Sequence, residues 1–373
     1  MTAVPSVYAP RTPVEAATRT QPQAEWRVNN FDLVRLFAAL QVALVHGVLY
    51  LWPAGEGSLL LQSGLSLFPG VPIFFVVSGA LVSRSFEHAQ SAREYYRNRC
   101  LRIFPALWIC LLLSLGVVCI VGLQAVRPAP AGDWLLWWAA QMTLFQSYWP
   151  AFLGSWGSGS GLNPSLWTIP VELEFYLALP LLYPLFRSRG RWALASVIAL
   201  MLLSYCIEVA LVHDAAAPSG AHYGPIRMTV VPYLWMFLIG VLVQRNWSAL
   251  RMWFMGRAHW WLLAYLLLCV LAKAINVRRG GNDINPLFML PLAGLVVAAA
   301  MSARGWSDRL LRHHDVSYGL YIYHMPIIAV LSALALRSVS IAIALSLAVA
   351  ILSWTGVEKP FLAHKRRTLR AIT

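Results

Sequence analysis

Charge is scarce in this chain. Only 12% of its 373 residues are charged, about half the share of an ordinary soluble domain. Meanwhile 59% are apolar and the mean hydropathy is +0.62. Such a deficit excludes a soluble globular domain, because most of the sequence must face lipid or other buried helices. The apolar runs do not alternate with polar residues, which argues against a membrane β-barrel. The five cysteines, Cys100, Cys110, Cys119, Cys206 and Cys269, form no CxxC pair. No metal cluster or disulfide framework is therefore legible, and these residues read as small hydrophobes. Residues 1–30 lack the apolar stretch of a cleaved signal peptide. Rich in Pro, Thr, Ala and Gln, they read as a flexible cytoplasmic tail. Acidic residues are scarcer than basic ones, 15 against 29, for a net charge of +14. That surplus does not point to nucleic acid. The basic residues cluster in short loops between apolar runs, as in the cytoplasmic loops of membrane proteins.

What the chain does have is apolar length. Ten segments can each cross a hydrocarbon core of ~30 Å as a helix: residues 32–52, 69–84, 101–124, 165–186, 191–212, 227–244, 259–277, 285–303, 315–336 and 338–356. The expected fold is all-α, a polytopic transmembrane helix bundle of about ten spans with both termini cytoplasmic. Residues 31–361 form the membrane domain, and residues 362–373 a basic cytoplasmic tail. An eleventh run, residues 134–149, decides the topology. If it does not cross, twenty-three of the 29 basic residues lie inside; if it does, fourteen of those move outside. The positive-inside bias disfavours crossing, and the Trp and Tyr content suits a segment lying at the outer interface. The following stretch, residues 150–164, holds no GxSxG elbow. It reads as an outer linker or as a lid over an outward-facing site.

Ionisable groups inside such spans are costly and mark function. In the first span, Arg35 and His46 are eleven residues apart. At 100° and 1.5 Å per residue they share one helix face, ~16 Å apart along the axis. That face must look into the bundle. A plainer role for His46 is a buried histidine bonded to a neighbouring carbonyl or hydroxyl. In the fourth span, Glu172 reaches about the depth of His46 and is a candidate to orient it, or else a structural ion-pair partner. Glu174, ~200° further round, faces elsewhere. His324, in the ninth span, suits packing and catalysis equally. Arg93, Arg97, Arg99 and Arg102 lie on an inner loop and the start of the third span. They are either ordinary inner charge or a cradle for a phosphate-rich cofactor.

Seven segments, in order from residue 31 to residue 361, carry a family pattern: FDLVRLFAALQVALVHG, GVPIFFVVSGALVSRSF, YYRNRCLRIFPALW, SLWTIPVELEFYLALPLL, YLWMFLIGVLV, SYGLYIYHMPI and VEKPF. With them the chain resembles the acyltransferase 3 family of membrane O-acyltransferases. The resemblance implies an enzyme that moves an acyl group, often acetyl, from cytoplasmic acyl-CoA to a hydroxyl of a carbohydrate acceptor. It implies His46 as the catalytic histidine, Arg35 as its paired arginine, and Arg97, Arg99 and Arg102 as the arginine-rich motif of the third helix. The spacing there is Arg-x-Arg-x-x-Arg, which leaves open which arginine plays which part. It also implies that Gly70 to Gly79, a GxxxFFxxSG segment, permits close backbone packing.

Together these readings give one expectation. Acyl-CoA binds at the inner face against Arg97, Arg99, Arg102 and Arg35, its arm threads into the bundle, and His46 acts as general base with Glu172 as orienter. Direct acylation of His46 stays open as an alternative. No metal and no nucleic acid is involved, and the setting is the bacterial inner membrane. The rival reading is a glycolipid or polysaccharide transporter or flippase, which would use the same intramembrane charges as a substrate path.

Overall fold

The computed structural model describes residues 25–26, 28–52, 64–121, 127–143, 145–146, 148, 150–153, 163–187, 190–216, 226–312 and 314–363. The expected flexible N-terminal tail, most of the stretch read as linker or lid, and the basic C-terminal tail lie largely outside these residues. Among the described residues all regular structure is helical, with no strand. The principal helices are α1 (Phe31–Leu51), α2 (Gly70–His88), α3 (Ala92–Val121), α4 (Ala131–Gln141), α5 (Thr168–Arg187), α6 (Arg191–Ala216), α7 (Leu234–Arg245), α8 (Trp247–Phe254), α9 (Ala258–Ala274), α10 (Pro286–Met301), α11 (Trp306–Leu311), α12 (Ser317–Ala333) and α13 (Val339–Ser353). A π-helical turn, Trp354–Glu358, continues α13.

Each of the ten predicted segments contains a helix. Among the described residues, six helical stretches are long and apolar enough to cross a membrane. A seventh is possible if α8 and α9, which meet at 75°, make one broken span. This is a multi-pass helical membrane protein. The segment predicted at 134–149 holds α4, whose 11 residues rise only ~16 Å, too little to cross. The arginine-rich segment differs from expectation. It is not a loop leading into a helix, because α3 already starts at Ala92 and is 30 residues long. The cause is a local cap. The Glu94 N–H donates to Ser91 Oγ at 3.1 Å, and Glu94 Oε2 accepts from the Gln90 N–H at 2.8 Å. This Ser-x-x-Glu arrangement satisfies amide groups that a helix start leaves orphaned. Of the cysteines, Cys110 and Cys269 are buried while Cys100, Cys119 and Cys206 are exposed on their helices.

Contacts between distant residues set helix direction around the site. Arg35 meets Asp315 and His46 meets His324, so α1 and α12 run parallel. The hydroxyls of Tyr318 and Tyr323 donate to the carbonyls of Ile103 and Ala106, so α3 runs the same way. Helix α13 returns antiparallel: Gly319 abuts Ala350 near its end, and Gly47 abuts Val339 at its start.

Helices α2 and α7 cross glycine to glycine. A Cβ at Gly79 would lie 2.0 Å from the Phe237 oxygen, and one at Gly240 would lie 2.1 Å from the Val76 oxygen. Only residues without a side chain allow backbones this close, as expected for the end of the GxxxFFxxSG segment. At its start, a Cβ on Gly70 would lie 2.4 Å from the Ala38 oxygen. Replacing Gly79 by alanine must push α7 off α2, at a cost of ~1–3 kcal/mol. A lower Tm for purified Gly79→Ala protein in detergent is therefore expected. Gly116→Ala is the control, because nothing lies within 4 Å of a Cβ there, and its Tm should hold or rise.

Candidate active site

The site begins with charge that the helices bring together. Arg35 Nη1 on α1 and Arg102 Nη2 on α3 both donate to Asp315 Oδ2, each at 2.5 Å. Asp315 stands just before α12, and its Oδ1 accepts from the Ser317 hydroxyl at 2.5 Å and from the Ser317 N–H at 3.3 Å. Arg102 Nη1 also reaches Glu358 Oε2 at 3.4 Å, and its guanidinium lies over the Tyr318 ring at 5.7 Å. Glu358 closes the π-helical turn, a device that often marks functional sites, and the Ser353 hydroxyl donates to it at 3.3 Å. Two guanidiniums and two carboxylates thus meet directly, and Asp32, in the first turn of α1, adds a third carboxylate close by. This compensation is what makes charge tolerable among packed helices.

Eleven residues along α1 from Arg35, the same face carries His46. Its Nδ1 lies 2.8 Å from Nε2 of His324, and the two rings meet edge to edge, nearly coplanar, with centroids 5.1 Å apart at 18°. His324 is fully buried, with Nδ1 3.3 Å from the Leu320 carbonyl oxygen, whereas His46 is half-buried. Tyr50 lies beside His46 at 5.8 Å and Tyr321 beside His324 at 6.0 Å, centroid to centroid. The predicted shared face therefore looks inward, and both of its polar residues meet α12.

Against the arginine cluster lies a cavity of about 30 Å³, lined by Arg35, Ser78, Thr168, Glu172, Tyr318 and Tyr321 among others. Neither histidine is in this lining; Tyr321, which is, lies beside His324. On its wall, Glu172 Oε1 accepts from the Ser78 hydroxyl at 3.0 Å and from the Tyr176 hydroxyl. The hydroxyls of Thr168 and Tyr321 lie 2.7 Å apart.

The expected pairing of Glu172 with His46 is not formed; the group at His46 is His324. Helical rise matched the depth of the two residues but carried no information on which helices are neighbours. α1 packs against α12, α2, α10 and α13, whereas α5, which carries Glu172, packs against α2 and α6. Glu174 accepts from the Val230 N–H at 2.7 Å, so it ties down a turn and takes no part in the cavity wall. Arg99 donates from Nη2 to Ser85 Oγ at 3.1 Å and lies over the Tyr176 ring at 5.6 Å, its buried Nε without a hydrogen-bond partner. Arg97 is half-buried and Arg93 exposed. Sequence reasoning missed Asp315, Glu358, Ser78, Thr168 and Tyr321. Glu358 sits in the quoted VEKPF motif, and Asp315 directly precedes an apolar run; these were the available signals.

The family model of an acyltransferase domain, acyltransferase 3, matches residues 28–357. The chain is 32% identical over 357 residues to nodulation protein 10 of Rhizobium leguminosarum bv. viciae, covering 91% of this chain and 94% of that one. It is 25% identical over 344 residues to the O-acetyl transferase of Shigella phage Sf6, covering 90% and 96%. With the peptidoglycan O-acetyltransferase of Listeria monocytogenes it shares 24% identity over 344 residues, 83% of this chain and 51% of that protein. The chain thus spans about half the length of the Listeria protein. No solved structure matches it. A family match over nearly the whole chain, on a helical membrane protein with Arg35 and His46 on one inward face and Arg102 of α3 beside Arg35, leads to one conclusion: the chain belongs to the acyltransferase 3 family and is a membrane O-acyltransferase.

Proposed function

We propose that the protein moves an acyl group, acetyl by the names of its relatives, from cytoplasmic acyl-CoA to a hydroxyl of a carbohydrate-type acceptor. The bundle has about ten spans in a bacterial inner membrane, with both termini in the cytoplasm. The observation that carries this reading is the fit of α1 on α12: the arginine cluster at one end, the histidine pair at the other, and a small cavity that both Arg35 and Tyr321 line.

In this reading the donor's phosphates meet Arg97 and Arg99 at the start of α3. The Nε of Arg99 has no hydrogen bond to give up, and a guanidinium suits bidentate phosphate binding. Arg35 and Arg102, already paired with Asp315 and Glu358, close the inner end of the passage and admit the pantetheine arm. His46 takes the proton of the acceptor hydroxyl, a task for which imidazole suits neutral pH. Glu172, held by Ser78 and Tyr176, faces the substrate from the cavity wall and does not orient the base.

Size adds a requirement. A cavity of about 30 Å³ holds little more than a water, whereas a bound organic ligand occupies ~300–1,000 Å³. The helices around Ser78, Thr168 and Tyr321 must part when the donor enters. A transporter reading uses the same charges but consumes no acyl-CoA. Membranes containing the protein, given acetyl-CoA labelled in the acetyl group, are expected to gain ester-linked label in envelope carbohydrate, absent from matched membranes without it. Label that stays on CoA while carbohydrate crosses the membrane would overturn the reading.

A further inference from the structure

We propose that His324 is a positioning residue that fixes the tautomer of His46, leaving Nε2 of His46 as the basic nitrogen. The inference rests on the reading of His46 as general base and adds what makes it one.

The reasoning follows donors and acceptors through the pair. A neutral imidazole has one N–H and one lone pair. Nδ1 of His324 faces the Leu320 carbonyl at 3.3 Å. A carbonyl oxygen only accepts, so this nitrogen carries the hydrogen. Nε2 of His324 must then present its lone pair, and the atom 2.8 Å away is Nδ1 of His46. Nδ1 of His46 is therefore the protonated nitrogen. Its Nε2 keeps its lone pair and, among the described residues, has no protein hydrogen bond. The opposite assignment would leave His324 Nδ1 facing the carbonyl lone pair to lone pair. Protonating both rings would set two cations 2.8 Å apart, a large repulsion among packed helices.

The fold holds His324 in place for this. Pro326, inside α12, has no N–H for the carbonyl of Ile322. That carbonyl is taken instead by Nδ2 of Asn163 at 2.7 Å and by Sγ of Cys110 at 3.1 Å. The break in the helix ladder is thereby tied to neighbouring segments two residues from His324. A neutral imidazole also suits a fully buried position, where a carboxylate orienter would need its own compensation.

In the transfer, the acceptor O–H proton passes to Nε2 of His46 as the hydroxyl oxygen forms a bond to the thioester carbonyl carbon. The C–S bond breaks, and the thiolate leaves and takes the proton from Nε2. Nδ1 of His46 stays protonated throughout. Its hydrogen bond to His324 strengthens while His46 is cationic, so His324 lowers the barrier without touching substrate.

The test compares His324→Gln, His324→Leu and His46→Ala in the full chain, in membranes at equal expression, reading ester-linked acetyl from labelled acetyl-CoA at varied concentration. The side-chain oxygen of Gln accepts from Nδ1 of His46; Leu cannot. His324→Gln is expected to keep the rate within about tenfold, as one surviving hydrogen bond implies. His324→Leu is expected to fall by a factor of about 10²–10⁴, as far as His46→Ala, with the KM for acetyl-CoA unchanged. If His324→Leu does not accumulate, His324→Asn replaces it, because its amide ends short of the Nε2 position and is expected to fail likewise. Equal rates in the Gln and Leu (or Asn) variants would overturn the positioning role. An active His46→Ala would instead remove the general-base reading on which it rests.

Discussion

Asp315→Ala is expected to cost more stability than any other single substitution at the site. Its Oδ2 accepts from both Arg35 and Arg102 at 2.5 Å. Its Oδ1 holds the first turn of α12 through Ser317. Removing the carboxylate leaves two guanidiniums side by side without their shared acceptor, with Glu358, 3.4 Å from Arg102, and the nearby Asp32 to compensate in part. Breaking a buried pair in this way costs roughly 3–5 kcal/mol. The expected result is a markedly lower Tm in detergent and loss of transfer, because α1 and α12 lose their register at this end. Adding Arg35→Met should recover part of the lost stability, since it removes one stranded charge; the two changes touch one network and will not add. A Tm for Asp315→Ala equal to that of the wild type would show that the cluster does not hold these helices together.

Asp315 also shows where sequence reading stops. Every predicted apolar segment holds a helix, because a bilayer leaves the backbone few alternatives. The alignment of Arg35 with His46 was legible from helical period alone. Their partners were not. Asp315 lies 280 residues from Arg35, and His324 lies 278 from His46. No local periodicity reports which helices become neighbours across such distances. Glu172 illustrates the failure: α5 packs against α2 and α6, and Ser78 and Tyr176 take its carboxylate. The early start of α3 is different in kind. Ser91 and Glu94 are a readable start signal three residues apart, and it was overlooked because charged residues near a span read as loop. The π-helical turn that carries Glu358 has no such local signature.

His46→Ala is the substitution with the largest expected effect on chemistry. Losing a positioned general base removes about 10²–10⁴ in rate, which is ~3–5 kcal/mol of barrier. The loss should fall on kcat. In the proposed function the donor phosphates bind near the Arg35 end of α1, ~16 Å from the imidazole by helical rise, so acyl-CoA affinity should hold. Stability should change little by comparison with Asp315→Ala, because His46 is half-buried and its one described hydrogen bond is to His324.

The central claim is that the imidazole of His46 carries the acyl transfer. The most direct measurement is thiol release from acetyl-CoA by purified His46→Ala protein in nanodiscs supplied with a carbohydrate acceptor on which the wild type is active, with acetyl-CoA binding measured on the same sample. The expected result is donor binding at wild-type affinity, with thiol release reduced at least a hundredfold. Wild-type thiol release from folded, donor-binding His46→Ala protein would contradict it.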